Sequence, residues 1–291
     1  MTKVLILGAS GMLGFAVATV FAEAGFELTL SSRKESQDLL PNVGSKIVFD
    51  AMTDSTESLE IQNFDYVINC VGIIKPRIHD NNQEEREAAL VVNSLFPSKL
   101  ASAAEQSGAK VIQIATDCVY SRSDGNYSET SPHDALDVYG KTKSLGETPS
   151  AAVMHLRVST IGPEQGRSSL LLEWVRSQPQ DAQITGYTDH LWNGITTKAF
   201  ARIASGIISS QNFKPGVHHI VPADRLTKSE LVSQIAQTFG RNDIKITPAE
   251  SAKAIDRTLT TNSPELSLKL WTNAGYPTVP TIAQLIAEIG N

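Results

Sequence analysis

The run KVLILGASGMLGFAVATVFAEAG constrains this chain more than any other stretch. Its opening Val-Leu-Ile-Leu has no polar break. Such a segment reads as a strand covered on both faces, the pattern of a parallel sheet held between helix layers. Gly8, Gly11 and Gly14 follow, and then a helical stretch, GFAVATVFAEAG. In a strand-to-helix turn each glycine has a task. The first permits the turn out of the strand, the second lets the backbone approach a pyrophosphate, and the third lets helix and strand pack closely. The helix N-terminus adds free N–H groups and the positive end of its dipole. The spacing is G-x-x-G-x-x-G. A tight turn that happens to be glycine-rich is the plain alternative, and the position between strand and helix favours a dinucleotide site over it. The run is long enough to suggest a membrane or signal segment, but its glycines and Ser10 break it and it has no basic leader or cleavage site. No membrane partner is expected.

The same alternation continues. FELTLSS, KIVFD, YVINCVG, KVIQIATDCVY and AVMHLRVSTIG read as strands, and EEREAALVVNSLFPSKLASAAEQSG as a long helix whose start, NNQEEREAA, is solvated. Strand and helix in turn predict right-handed crossovers and an α/β fold with a doubly wound parallel sheet of Rossmann type. After about residue 160 the pattern loosens. Helices are expected in SSLLLEWVRSQ, TKAFARIASGIISS, TKSELVSQIAQTFG and TIAQLIAEIG, separated by turn-rich NFKPG and VPADR. The reading is a dinucleotide-binding domain over 1–160, to which parts of the later chain return, and a smaller, partly discontinuous substrate lobe over 161–291. A chain of 291 residues suits one large domain plus a lobe. The net charge of −6 argues against a nucleic-acid partner, which needs a basic face. Cys70 and Cys118 offer neither a disulfide framework nor metal-ligand spacing, so no metal and a reducing cytoplasm are expected.

The second strand ends in TLSSRKES. An NAD site usually has a carboxylate there for the ribose 2′-hydroxyl. Ser31, Ser32, Arg33 and Lys34 instead suit a 2′-phosphate, and so NADPH; a solvated basic turn is the alternative. In DALDVYGKTKSLGE, Tyr139 and Lys143 lie four apart, on one face of a helix. A free tyrosine has a pKa of about 10. A cation at about 4 Å is worth roughly 1 kcal/mol in water and roughly 4 at an effective dielectric of about 20. The pair is therefore chemically useful only where water is excluded; otherwise it is an incidental surface pair. Thr116, in IQIATDCVYS, stands past the fifth strand at the carboxyl edge of the sheet, where open α/β sheets bind ligands. NCVG ends the fourth strand at the same edge and puts Cys70, Val71 and Gly72 beside the cofactor.

Together these motifs resemble the extended short-chain dehydrogenase/reductase superfamily. ATDCVYSRSDGNYSETSPHDALDVYGKTKSLGE, followed by HLRVSTIGPE, looks like its dTDP-4-dehydrorhamnose reductase branch. The likeness spans essentially the whole chain and is strongest from residue 4 to about 163. It implies an NADPH-dependent reductase of a nucleotide-linked 4-keto-6-deoxy sugar in cell-surface polysaccharide synthesis, with a homodimer allowed. By that resemblance Thr116, Tyr139 and Lys143 form the catalytic triad, and Gly8, Gly11, Met12, Leu13 and Gly14 the phosphate loop. Ser32 and Arg33 take the 2′-phosphate, Asp50 lies near the adenine, and Tyr139 and Lys143 touch the nicotinamide ribose. HLWNGITTKAFA looks more like relatives acting on UDP-linked acetamido-sugars. Dehydratases of the superfamily carry Thr-Asp-Glu where this chain has Thr116-Asp117-Cys118, so elimination is disfavoured. An epimerase should hold NAD tightly, against the basic turn. A non-catalytic NADP-binding regulatory subunit is the alternative of a different class.

Substrate contacts are read at Asp117, at Trp192 with Asn193 and Thr196, and at Arg257 in AIDRTLTT, a diphosphate candidate. Core packing is the alternative for Trp192. Arg157 meets either a diphosphate or an internal acid. His218 and His219 point to opposite faces of a strand and lack partner ligands, which favours a structural role.

Overall fold

The protein is described from a computed structural model covering residues 1–166 and 170–290. Ser168 and Ser169, which open the helix expected in SSLLLEWVRSQ, lie outside the described residues. The first half runs β1 (Lys3–Leu7), α1 (Met12–Glu23), β2 (Glu27–Ser32), β3 (Ser45–Val48), β4 (Tyr66–Asn69), α2 (Gln83–Leu90), α3 (Phe96–Ser107), β5 (Lys110–Ala115), α4 (Val138–Leu145) and β6 (Val153–Arg157). Next come β7 (Thr160–Ile161), α5 (Leu171–Arg176), β8 (Gln183–Tyr187), β9 (His190–Trp192), β10 (Ile195–Thr196) and α6 (Thr197–Ser209). The chain continues through β11 (Gly216–His219), β12 (Leu226–Thr227), α7 (Lys228–Thr238), β13 (Lys245–Ala249), β14 (Ile255–Asp256), α8 (Pro264–Asn273) and α9 (Ile282–Gly290).

Seven parallel strands form the central sheet, in the order β11-β6-β5-β4-β1-β2-β3. The doubly wound sheet expected from the sequence is present. Its order reverses between β1 and β4, which opens a crevice at the carboxyl ends of these strands. The unbroken apolar run of β1 is explained by its two covered faces. Val4 and Ile6 join Val17 and Phe21 of α1 and Phe200 and Ile207 of α6 in one core. Leu5 and Leu7 join Leu100 and Ala104 of α3 in the other. All four strand residues are fully buried.

The long predicted helix is interrupted by a π-helical turn at Val91–Leu95. Pro97 has no N–H to return to the carbonyl four residues earlier, and that carbonyl belongs to Asn93. A Cβ on Gly146 would lie 2.0 Å from the Asn93 oxygen, so the turn is packed directly under the end of α4.

The later chain serves two cores. α6, Leu270 and Trp271 of α8, and Leu285 of α9 complete the core over α1, and β11 adds an edge strand. Ile161, Leu172, Trp192, Leu231, Ile235 and Ile286 form a third core. Short pairings surround it: β7 with β10, β8 with β13, and β9 with β12 and β14. Among the described residues no helix is long and apolar enough to cross a membrane.

Candidate active site

The glycine loop is shaped by contacts that exclude side chains. Gly8 has φ of +76°, in the left-handed region. A Cβ on Gly14 would lie 2.2 Å from the Gly8 oxygen. Ser31, at the end of β2, holds the loop from behind: Gly8 N donates to its Oγ at 3.3 Å and Ala9 N to its carbonyl at 2.9 Å. Gly11 caps α1 without a side-chain bond, so the first turn of the helix presents its N–H groups toward the crevice. These features fit a dinucleotide.

Beside the loop lies a cavity of about 600 Å³. Gly11, Met12 and Leu13 line it with Cys70, Val71 and Gly72. Thr116 and Asp117 line it from the turn after β5, Tyr139 and Lys143 from α4, and Trp192 and Arg257 from the ends of β9 and β14. Ser32, Arg33 and Asp50 are not among the lining residues. The Ser32 hydroxyl is buried, accepts from Gln37 Nε2 at 2.7 Å and donates to the Arg33 carbonyl. Arg33 is exposed, 3.2 Å from Glu35. Asp50 is half-buried and accepts from Met52 N at 2.9 Å.

Thr116 opens a 3₁₀ turn. Its Oγ1 accepts from Cys118 N and donates to Asp117 Oδ1, both at 3.2 Å. Helix α4 is capped by Asp137, whose Oδ1 accepts from Gly140 N at 2.8 Å. A Cβ on Gly140 would lie 2.4 Å from the Cys118 carbonyl, so only glycine lets α4 press onto the Thr116 turn. Thr116 and Tyr139 thereby face the same cavity. Lys143 is buried and donates to the Ile114 carbonyl at 3.2 Å.

The electrostatics correct one expectation. Lys143 was expected to lower the pKa of Tyr139. Instead burial pushes the phenol up, with Cys118 and Asp117 adding to the rise, while Thr116 and Arg257 oppose it. One N–H of Lys143 goes to the Ile114 carbonyl, which leaves donors for the cavity, and burial pushes its own pKa down. Desolvation dominates, and it favours the protonated phenol of Tyr139.

Arg257 reaches the Thr116 turn. Its Nε donates to Asp117 Oδ2 at 2.7 Å and its Nη2 to Cys118 Sγ at 3.2 Å. Trp192 is both core and wall: it is 7% exposed, packs in the third core and lines the cavity. Asn193 and Thr196 are structural. Asn193 brackets the backbone of Leu259, and Thr196 caps α6.

Arg157 meets the internal acid, and the diphosphate alternative falls. It is 1% exposed and its guanidinium is saturated: Nε and Nη2 donate to Glu147, Nη2 also to His133, and Nη1 to Tyr120 and His219. His219 donates from Nδ1 to the Thr260 carbonyl at 2.7 Å, and burial and Arg157 push its pKa down to about 4. His218 is half-buried and bonds Lys214. No cluster among the described residues could hold a metal. Both cysteines are free, and burial pushes the Cys70 thiol up to about 12.

Three positioning residues escaped the sequence reading. Asn93 accepts from Ile73 N at 2.8 Å and donates to the Ile73 carbonyl and to Thr142 Oγ1, which ties the loop after β4 to α4. Lys75 and Arg122 both donate to Asp137 Oδ2, at 2.6 and 3.2 Å. Pro97 is the only hint at Asn93; nothing in the sequence marks the other two.

A family model, the RmlD substrate binding domain, matches residues 1–289. Among curated relatives, the spore coat polysaccharide biosynthesis protein SpsK of Bacillus subtilis is 23% identical over 247 residues, covering 82% of this chain and 80% of that protein. A dTDP-4-dehydrorhamnose reductase of Aggregatibacter actinomycetemcomitans is 26% identical over 239 residues, covering 75% and 73%. Methionine adenosyltransferase 2 subunit beta of Danio rerio is 24% identical over 254 residues, covering 81% and 74%. Two solved structures share the fold. MoeE5 in complex with UDP-glucose and NAD has a TM-score of 0.75 at 20% identity, covering 99% of this chain and 97% of that one. A dTDP-4-dehydrorhamnose reductase from Bacillus anthracis in complex with NADP has a TM-score of 0.71 at 16% identity, covering 99% and 98%. The chain belongs to the RmlD substrate binding domain family.

Proposed function

We propose that this member of the RmlD substrate binding domain family is an NADPH-dependent reductase of a nucleotide-diphosphate-linked 4-keto-6-deoxy sugar, serving cell-surface polysaccharide synthesis. The observation that carries the reading is the glycine contact between α4 and the Thr116 turn, which brings Thr116, Tyr139 and Lys143 into one cavity with the glycine loop. The dTDP-4-dehydrorhamnose reductase and SpsK relatives support the reaction class and the pathway type.

Gly11, Met12 and Leu13 would hold the pyrophosphate of the cofactor at the N-terminus of α1. Ser32 and Arg33 would take the 2′-phosphate, Asp50 the adenine side, and Cys70 to Gly72 the nicotinamide side. When bound, the nicotinamide supplies hydride. Thr116 orients the keto oxygen of the sugar. Tyr139, kept protonated by burial, gives its proton to that oxygen as charge develops on it. Lys143 would hold the nicotinamide ribose from the same helix face. Asp117, held by Arg257, positions the sugar hydroxyls, and Trp192 closes the outer wall against water.

A second reading, a non-catalytic NADP-binding subunit, has one support: the similarity to a protein that is itself a subunit, methionine adenosyltransferase 2 subunit beta. One assay separates the two. NADPH oxidation is followed against UDP-, dTDP- and GDP-linked 4-keto-6-deoxy sugars. The reductase consumes NADPH steadily with one of them, and Tyr139→Phe loses about 10²–10⁴-fold while still binding NADPH. Absence of turnover with every sugar rejects the reductase.

A further inference from the structure

Arg122 stands between the Thr116 turn and α4 with φ of +70°, a left-handed conformation that is disfavoured for arginine. The second lobe imposes it. Asp256 N donates to the Arg122 carbonyl at 2.9 Å, and Asn126 N to Thr258 Oγ1 at 2.8 Å, so the segment around β14 sets the course of the loop. Glycine would take this position without strain, yet the chain places an arginine here, and its side chain lines the active cavity.

That side chain is incompletely satisfied. Its Nη2 donates to Asp137 Oδ2, the oxygen that also takes Lys75 Nζ. One carboxylate thus serves two cations, both on the cavity wall, and one positive charge is left over. The Nε of Arg122 is buried without a hydrogen-bond partner. An unmet buried donor is disfavoured until an acceptor reaches it. Backbone strain, surplus charge and an unmet donor therefore meet in one residue, beside the first turn of the helix that carries Tyr139.

We propose that Arg122 is a specificity-determining residue that binds an anionic oxygen of the substrate, from a carboxylate on the sugar or from the diphosphate. The inference rests on the nucleotide-sugar reading above. It is tested on the full chain by calorimetry with NADPH and with UDP, UDP-glucose and UDP-glucuronate, together with the dTDP- and GDP-sugars, and by thermal melting. Arg122→Gly removes the guanidinium and the strain together. Its melting temperature should match or exceed that of the wild type, while its affinity for sugar nucleotides falls about 10- to 100-fold, the range of a hydrogen bond to a charged group, and NADPH affinity holds. A loss shared by UDP, UDP-glucose and UDP-glucuronate assigns the diphosphate; a loss confined to UDP-glucuronate assigns the sugar carboxylate. Arg122→Lys should not restore affinity, because an ammonium lacks the planar fork of a guanidinium. Unchanged sugar-nucleotide affinity in Arg122→Gly overturns the inference alone. So does a lower melting temperature with NADPH affinity falling alongside, which marks a purely structural residue. A wild type that binds no sugar nucleotide overturns the functional reading and this inference with it.

Discussion

Tyr139 owes its protonated state to its surroundings rather than to a partner, and several other groups here are governed by burial in the same way. His219 is the clearest case. Its folded pKa is about 4, against about 6.5 for a free imidazole. Between those values the unfolded chain binds more protons than the folded one, so stability is fully present above about pH 6.5 and is lost as the pH falls toward 4. At about 1.36 kcal/mol per pH unit, the loss is about 3 kcal/mol. A melting-temperature series over that window should show the decline, and His219→Gln should flatten it. The cofactor turn gives a second outcome. Arg33 is exposed and free to reorient from Glu35, so Arg33→Ala should weaken NADPH by about 1.5–3 kcal/mol and barely alter NADH, measured by calorimetry. Equal losses would move the 2′-phosphate elsewhere. Chain order made Thr116, Tyr139 and Lys143 legible as a set, since each follows a recognisable strand or helix. The partners of Arg257 and Arg157 were not legible. Arg257 and Asp117 are 140 positions apart, and nothing local to either announces the other.

Helix α4 is aimed by its neighbours at both ends. Asp137 caps its start under Lys75 and Arg122, Gly140 seats it on the Thr116 turn, and Asn93 and Glu147 fix its far half. Gly140→Ala should therefore lift the helix from the turn. A displacement of about 1 Å is enough to cost about 10²-fold in rate, so kcat should fall on that scale, together with a lower melting temperature from the overpacking. An unaltered kcat would show that α4 has room to yield. Gly14→Ala is the harsher test of the glycine loop. Its Cβ would meet backbone at 2.2 Å, and overpacking of about 1–3 kcal/mol should appear as a lower melting temperature together with lost NADPH binding. The main-sheet strands and α1 were legible because apolar runs and glycine punctuation mark them. The π turn was not, because its apolar spacing differs from that of an α-helix by a single residue. Nor were α8 or strands such as β10 and β14: two residues carry no periodicity, and α8 is a short helix opened by Pro264.

The fold closes only when the chain has nearly all been used. α1 lies against α6, and β11 completes the edge of the sheet beside β6. A fragment of residues 1–160 lacks both. It should therefore melt without a cooperative transition and bind hydrophobic dyes, and a sharp two-state melt of that fragment would contradict the account. The same geometry bears on how the molecule is made. Synthesis at about 5–20 residues per second puts α6 roughly 10–40 s behind α1. For that interval Val17 and Phe21, which end among the most deeply buried residues, have no permanent cover. A growing chain of this kind is a natural client for ribosome-associated chaperones, and a translational pause before α6 lengthens its exposure to aggregation.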